Sequence, residues 1–394
     1  MAKDSPFLLF KVECPICKTI NEFEMIRVGA YSEEGRDKDF CPMNIEWRSP
    51  RYQAYNPLVF FTATCSNCYY TREFTNNFKD WKNDNYFRTY RLKQVKSRHL
   101  EQLSTADSVV KTMGDAIDIH GYPNESAVLK LLLAIYDEHL ADHANKLDLG
   151  RLFLRIAWVF RDLTRGADPR QQYLHGLMYE LDNKYGMLSQ TVSAADTESN
   201  TFADYIKSHF GSDQIAAELR SRMLAFEDRY SEQITGLKDC LSSAQIKLSE
   251  MNDLIGEYKT AIVGSGDGST SREFGAHPSF EALLLSIKKS WPQAVTNERE
   301  ALESAVKNYK AAFVSGRDIS PGPQQIQASY LIAELSRRVG DHEEAKQYFN
   351  STIKNGQEFI YQNRSDRSRT ALARKIMELA IEQGKSNLTE AKTG

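Results

Sequence analysis

Two CxxC pairs, Cys14-Pro15-Ile16-Cys17 and Cys65-Ser66-Asn67-Cys68, carry the strongest chemistry in this sequence. A CxxC turn aims two thiolates at one point, and two such turns supply the four sulfurs that Zn²⁺ takes at about 2.3 Å in closed structural sites. A metal held this way gives shape, not a reaction. Iron in the same S₄ geometry, a redox dithiol and a regulatory metal site are the alternatives. Neither pair opens a helix after a strand, as a thioredoxin-like dithiol does. Cys41 is a fifth thiol for a four-coordinate ion, either substituting for one ligand or lying buried beside the site. Cys14, Cys17, Cys65 and Cys68 are the expected ligands, because paired knuckles account for all four at once.

The remaining candidates are weaker. His139 and His143 lie one helical turn apart with Asp142 beside them, a spacing that can hold a transition metal, but the order is not HExxH and a solvated helix end explains it equally well. The Gly/Ser run at residues 264 to 269 lacks the Lys-Ser/Thr of a phosphate loop and reads as a linker. No GxSxG and no Cys/His nucleophile signature is evident, so the chain is expected not to be an enzyme. Residues 72 to 99 interleave basic and aromatic side chains. Arg88, Arg91, Lys93, Lys96 and Arg98 are the candidate nucleic-acid contacts there, against the reading in which the aromatics dock the metal head on the first helix and the charges face water. A second basic cluster, Arg364, Arg367, Arg369, Arg374 and Lys375, is expected on the outer face of the last helix.

The whole chain narrows these readings. At 394 residues, 41% hydrophobic and 26% charged, it is long enough for two or three domains. A net charge of -3 excludes the global basic field of non-specific nucleic-acid binders, so any such contact is local. The N-terminal apolar run is only four residues, and no stretch approaches the roughly 18 apolar residues of a membrane span. A cytoplasmic protein without membrane insertion is the expectation, and cysteine spacing suited to metal agrees with a reducing compartment.

Strand-like alternation before each knuckle predicts that each closes a short β-hairpin, as in a zinc ribbon, within a head over residues 1–85. The 47 residues between Cys17 and Cys65 exceed the ribbon spacing of about 15 to 20 and read as a long loop. Helical periodicity follows near 104–119, 124–141, 148–165 and 168–188. Two stretches echo each other, Ile156–Asp168 and Ile332–Phe349, the second with the small Ala333, the turn pair Gly340-Asp341 and the returning Ala345 and Phe349 of a tetratricopeptide (TPR)-like hairpin. Between them, apolar residues at three and four spacing predict one long coiled-coil helix over 213–263, flanked by a polar linker at 189–200. Its partner is expected to be the same helix of a second chain or the stretch Phe280 to Phe313. The expected division is a head (1–85), TPR-like helices (86–188), linkers and coiled coil (189–278), TPR-like helices (279–384) and a flexible tail (385–394).

The series Cys14-Pro15-x-Cys17, Arg36-Asp37-x-Asp39-Phe40-Cys41, Asn56-Pro57-Leu58 and Cys65-x-x-Cys68-x-Tyr70 resembles the uncharacterised bacterial family called domain of unknown function 2225. The segments Leu154–Trp158 and Ala333–Asp341 look like the rest of that pattern. Where the family commonly reads CxxCGYA, this chain has Tyr69 in place of the glycine. The resemblance implies a zinc-ribbon-like head on TPR-like helices, and no known activity.

The reading is an α+β chain, mostly α: a small metal-stapled β head, a TPR-like helical body and a long coiled-coil helix. Its expected role is a zinc-containing scaffold or adaptor. A protein partner would use the helical groove or the coiled coil, and self-association is expected. The alternative is nucleic-acid binding through the head and residues 72–99.

Overall fold

The computed structural model describes residues 5–53, 55–106, 108–165, 169–210, 217–264, 274 and 277–391. The chain divides into two compact units, Met1–Gly166 with Ser271–Gly394, and Ala167–Thr270.

The first unit begins with three antiparallel hairpins, β1 (Phe7–Glu13) with β2 (Ile20–Ile26), β3 (Tyr31–Arg36) with β4 (Pro42–Trp47), and β5 (Thr62–Thr64) with β6 (Thr71–Glu73). The first and third are the hairpins expected around the two knuckles. The middle one corrects the expectation of a long loop. Only Tyr31, Ile45 and Trp47 of its alternating positions turn toward the core, so its period-two signal is faint.

Five helices follow in the order α1 (Leu92–Ser104), α2 (Val109–Asp115), α3 (Pro123–His139), α4 (Lys146–Arg165) and α5 (Pro169–Phe210). Then come α6 (Ala217–Gly264), α7 (Phe280–Ser290), α8 (Glu298–Ser315), α9 (Pro323–Val339), α10 (His342–Gln362) and α11 (Arg367–Glu390). The chain is mostly α with a small β head. Helix starts follow local chemistry: the side chains of Ser108, Ser279, Asn297, Asp341 and Asp366 each accept from a backbone N–H of the first turn, and Pro123 and Pro323 occupy first-turn positions.

Helix α3 is apolar nearly all round, and Ala127 to Ile135 is continuously buried. It forms the centre of the main core with α4, α7, α8 and parts of α9, joined from the β side by Phe7, Trp47, Val59 and Phe60. A separate core joins α9, α10 and α11 through Tyr330, Ala333, Ala345, Phe349, Ala373 and Ile376. Here the helical hairpin read from Ile332–Phe349 is present: Gly340 ends α9 at φ 91°, which a side chain would strain, and Asp341 caps α10. The earlier echo differs. Helix α4 packs on α8 and α3, while α5 belongs to the second unit. The periodic segment at 104–119 is helical only as the short α2. The expected tail is also corrected, because α11 runs to Glu390 and buries Asn387, whose Nδ2 donates to His342 O at 2.8 Å.

In the second unit α5 packs on α6, the long helix expected from periodicity. Residues 189–200, read as a linker, are helix, mostly exposed with Ser199 buried among them. The partner of α6 is therefore α5. The stretch Phe280 to Phe313 belongs to α7 and α8, which pack on α2, α4 and α9. The expected linker beyond Gly264 lies outside the described residues. No helix among the described residues is long and apolar enough to cross a membrane.

Candidate metal centre

The two knuckles fold by the same backbone rule. Cys14 N donates to Thr19 O and Lys18 N to Cys14 O, at 2.9 and 3.1 Å; Cys65 N donates to Tyr70 O and Tyr69 N to Cys65 O, at 3.0 and 2.9 Å. In each, the residue after the second cysteine is left-handed, Lys18 at φ 68° and Tyr69 at φ 62°. Tyr69 thus adopts the conformation that glycine takes at least cost. Its ring lies against Gly114 and its hydroxyl donates to Asp115.

These turns bring the four sulfurs together. Cys14 Sγ lies 3.7 Å from Cys68 Sγ and Cys17 Sγ lies 3.5 Å from Cys65 Sγ, and all four are within 4.8 Å of one another. Thiolates at about 2.3 Å from a tetrahedral ion stand about 3.8 Å apart, whereas a disulfide needs about 2.05 Å. The donor set therefore fits a metal ion. Cys14, Cys65 and Cys68 are buried and Cys17 is partly exposed. Without a cation the thiols oppose one another's ionisation. The contact with Cys65 pushes Cys14 up, contact with Cys14 pushes Cys68 up, and hydrogen bonding from Cys14 draws Cys65 down. A bound cation removes that conflict by accepting all four as thiolates.

The surroundings hold the sulfurs in place. Asn21, buried on β2, reaches across to the other knuckle: its Oδ1 accepts from Ser66 N at 2.8 Å and its Nδ2 lies 3.4 Å from Cys65 Sγ. A dedicated core of Val12, Ile16, Tyr70, Phe74, Phe78 and Trp81 packs beneath them. The head is keyed to the helices by a buried pair. His99 of α1 places Nδ1 2.7 Å from Asp137 Oδ1 and Nε2 2.8 Å from Cys68 O, while Asp137 Oδ2 accepts from Thr71 N at 2.7 Å. Both ring nitrogens face acceptors, an arrangement that the imidazolium satisfies in full. Burial disfavours that charge, but Asp137 outweighs it and holds His99 above its ordinary range. Burial in turn pushes Asp137 up, opposed first by His99. Neither residue was singled out from sequence. An Asp following the apolar run Leu131–Ile135 was the available signal.

Cys41 is not part of this cluster. It lies at the β3–β4 turn, where its N–H donates to Asp39 Oδ1 at 3.2 Å, so the reading of Cys41 as a substitute ligand is not what the fold builds. That turn serves another purpose. Arg161 of α4 binds Asp39 Oδ2 at 2.7 Å, Asp37 Oδ2 at 3.1 Å and Glu298 of α8 at 2.7 Å. Arg338 of α9 binds Asp37 at 3.0 Å and the fully buried Glu334 at 2.9 Å. The Arg36–Cys41 motif is thus the plug of an ion-pair network between helices. His139 packs near the Trp291 ring, and its imidazole is held below the ordinary range chiefly by burial. Among the described residues, the four cysteines form the one group of three or more potential ligands close enough to hold an ion.

The basic segment splits in two. Arg91 binds Glu138 at 2.7 Å and Arg98 binds Asp142 at 2.6 Å, fastening α1 to the end of α3. Arg88, Lys93 and Lys96 are exposed. Phe74, Phe78, Trp81 and Phe87 are core, as the docking reading expects, whereas Tyr86 and Tyr90 are exposed with ring centroids 5.5 Å apart.

No curated protein and no solved structure matches this chain. The family model described as "Uncharacterized protein conserved in bacteria (DUF2225)" matches residues 9–223 and 275–374. With that match over most of its length, and with the double CxxC head assembled as the motif implied, the chain belongs to the domain of unknown function 2225 family.

Proposed function

We propose that the protein is a non-catalytic scaffold or adaptor whose head is folded by a structural Zn²⁺ held by Cys14, Cys17, Cys65 and Cys68. The observation that carries the metal part is the S₄ arrangement itself, with 3.5 and 3.7 Å sulfur separations between knuckles. Sulfur-only ligation selects zinc or iron, and four protein ligands leave no open position for substrate. The bound ion would fix the two hairpins against each other, and His99 would carry that order to α1 and α3. Chelation should then make the head sensitive to protease while most helical signal survives, because binding energy at such a site is folding energy for the local domain. Unchanged protease resistance after metal removal would overturn the structural role.

The adaptor part rests on the second unit. Met187, Ile246 and Leu254 remain exposed along α5 and α6, helices of 42 and 48 residues. Long helices with apolar side chains left outside their mutual seam favour a protein partner, and a second copy of this chain is the simplest one. Sedimentation equilibrium should show self-association that Met187→Glu with Leu254→Glu abolishes; a monomer at all concentrations would remove that reading. A cytoplasmic setting goes with it, since the ligand thiols must stay reduced.

One observation favours nucleic-acid binding as a second reading, the exposed Tyr86–Tyr90 pair beside Arg88, Lys93 and Lys96. Binding to a single-stranded oligonucleotide should then weaken steeply with salt, with a shallower slope for Lys93→Ala with Lys96→Ala. Salt-independent binding, or none, would remove it.

A further inference from the structure

Beyond the metal centre, the first unit contains a cavity of about 1060 Å³ between the β3–β4 hairpin and helices α4, α9 and α11. Its size is at the upper end of small-molecule sites, about 300 to 1000 Å³. Much of the wall is apolar, built from Leu58, Phe61, Leu154, Leu331, Ile376 and Leu379.

The charges on that wall are unevenly compensated. Glu33 is paired with Arg36 at 3.0 Å, Lys38 with Glu382 at 2.6 Å, and Asp37 with Arg161 and Arg338. Asp162 accepts from Asn56 Nδ2 at 2.6 Å, and Arg151 has a long contact to Asp148 at 3.4 Å. Among the described residues, the two lining cations without a carboxylate within ion-pair distance are Arg155 of α4 and Lys375 of α11. Arg155 is partly buried, donates to Arg151 O at 3.1 Å, and stacks 4.2 Å from the Phe61 ring centroid. Burial, and then the neighbouring Arg151 charge, hold Arg155 below the ordinary guanidinium range. An anion placed there would offset both effects, and a guanidinium stacked on an aromatic ring with only Nη1 engaged by Arg151 O keeps Nε and Nη2 to donate to it.

We infer that this cavity binds a small amphipathic anion, its carboxylate or phosphate head on Arg155 and Lys375 and its apolar body along α4, α9 and α11. The inference is independent of the scaffold reading and of the metal. The test uses the metal-loaded full-length protein and isothermal titration calorimetry with decanoate, decyl phosphate, decan-1-ol and inorganic phosphate, each below its aggregation limit. Decanoate or decyl phosphate should bind at least about tenfold more tightly than decan-1-ol and than inorganic phosphate, the scale of one charge-assisted hydrogen bond. The preferred head group tells carboxylate from phosphate. Arg155→Gln should abolish the preference over decan-1-ol. Lys375→Gln, at an exposed position, should weaken anion binding severalfold with circular dichroism unchanged. Equal binding of decan-1-ol and decanoate, phosphate binding as tightly without the chain, absence of binding by both anions, or full anion affinity in Lys375→Gln would each overturn the inference.

Discussion

The ring of Tyr69 lies so close to Gly114 that a Cβ at position 114 would come well under 3.0 Å from Tyr69 Cγ. Tyr69 cannot move away easily, because it is held left-handed at the end of the second knuckle and its hydroxyl is bound to Asp115. The departure from the family's glycine after the knuckle is thus met by a glycine on the facing helix α2.

Gly114→Ala should therefore destabilise the protein by about 2 kcal/mol, the cost of overpacking a fixed contact. Tyr69→Gly removes the ring and the left-handed strain together, so the double variant should recover most of the Gly114→Ala loss in a denaturation cycle. Additive losses would contradict the contact.

Removing one member of a buried, hydrogen-bonded pair leaves the other unpaired, at a cost of about 3 to 5 kcal/mol. Asp137→Ala strands His99 and Thr71 N at once. Urea denaturation should show a loss of that size, and metal transfer to a chromogenic chelator should become faster because the Cys68 carbonyl loses its positioned donor. A stable variant with unchanged metal release would show that the pair does not connect α3 to the knuckle.

Lys130 on α3 donates to Val59 O from a buried position, and burial lowers it from 10.5 to about 7, with Glu24 opposing weakly. Between pH 7 and 10.5 the unfolded chain binds a proton that the folded chain does not, so stability from this group rises with pH across that window. The slope is at most about 1.4 kcal/mol per pH unit, and the penalty is complete below pH 7. Lys130→Met lacks this term. Its stability relative to the unaltered protein should be most favourable near pH 7 and decline toward pH 10; a constant difference would contradict a neutralised lysine.

Much of this architecture was legible in the sequence where a local rule suffices. Each CxxC announced its own turn, Gly340-Asp341 its helical hairpin, and the three-four spacing of α6 its length. What was hidden depends on partners distant in the chain. The β3–β4 hairpin shows little alternation because few of its residues face the core, and Asp37 and Asp39 are intelligible only beside Arg161 and Arg338, over a hundred positions away. Ser189 to Asn200 looked like a linker because small polar residues suit both a flexible chain and the exposed face of a long helix. Cys41 attracted a metal role by residue type alone; its place at the turn is set by Asp39.

The central claim is that the two knuckles close around one Zn²⁺, and X-ray absorption at the metal edge of protein purified without added metal tests it most directly. The account predicts one equivalent of zinc with four sulfur neighbours at about 2.3 Å, retained in Cys41→Ser and lost in Cys65→Ser. Nitrogen or oxygen in the first shell, or metal lost from Cys41→Ser and kept in Cys65→Ser, would contradict it.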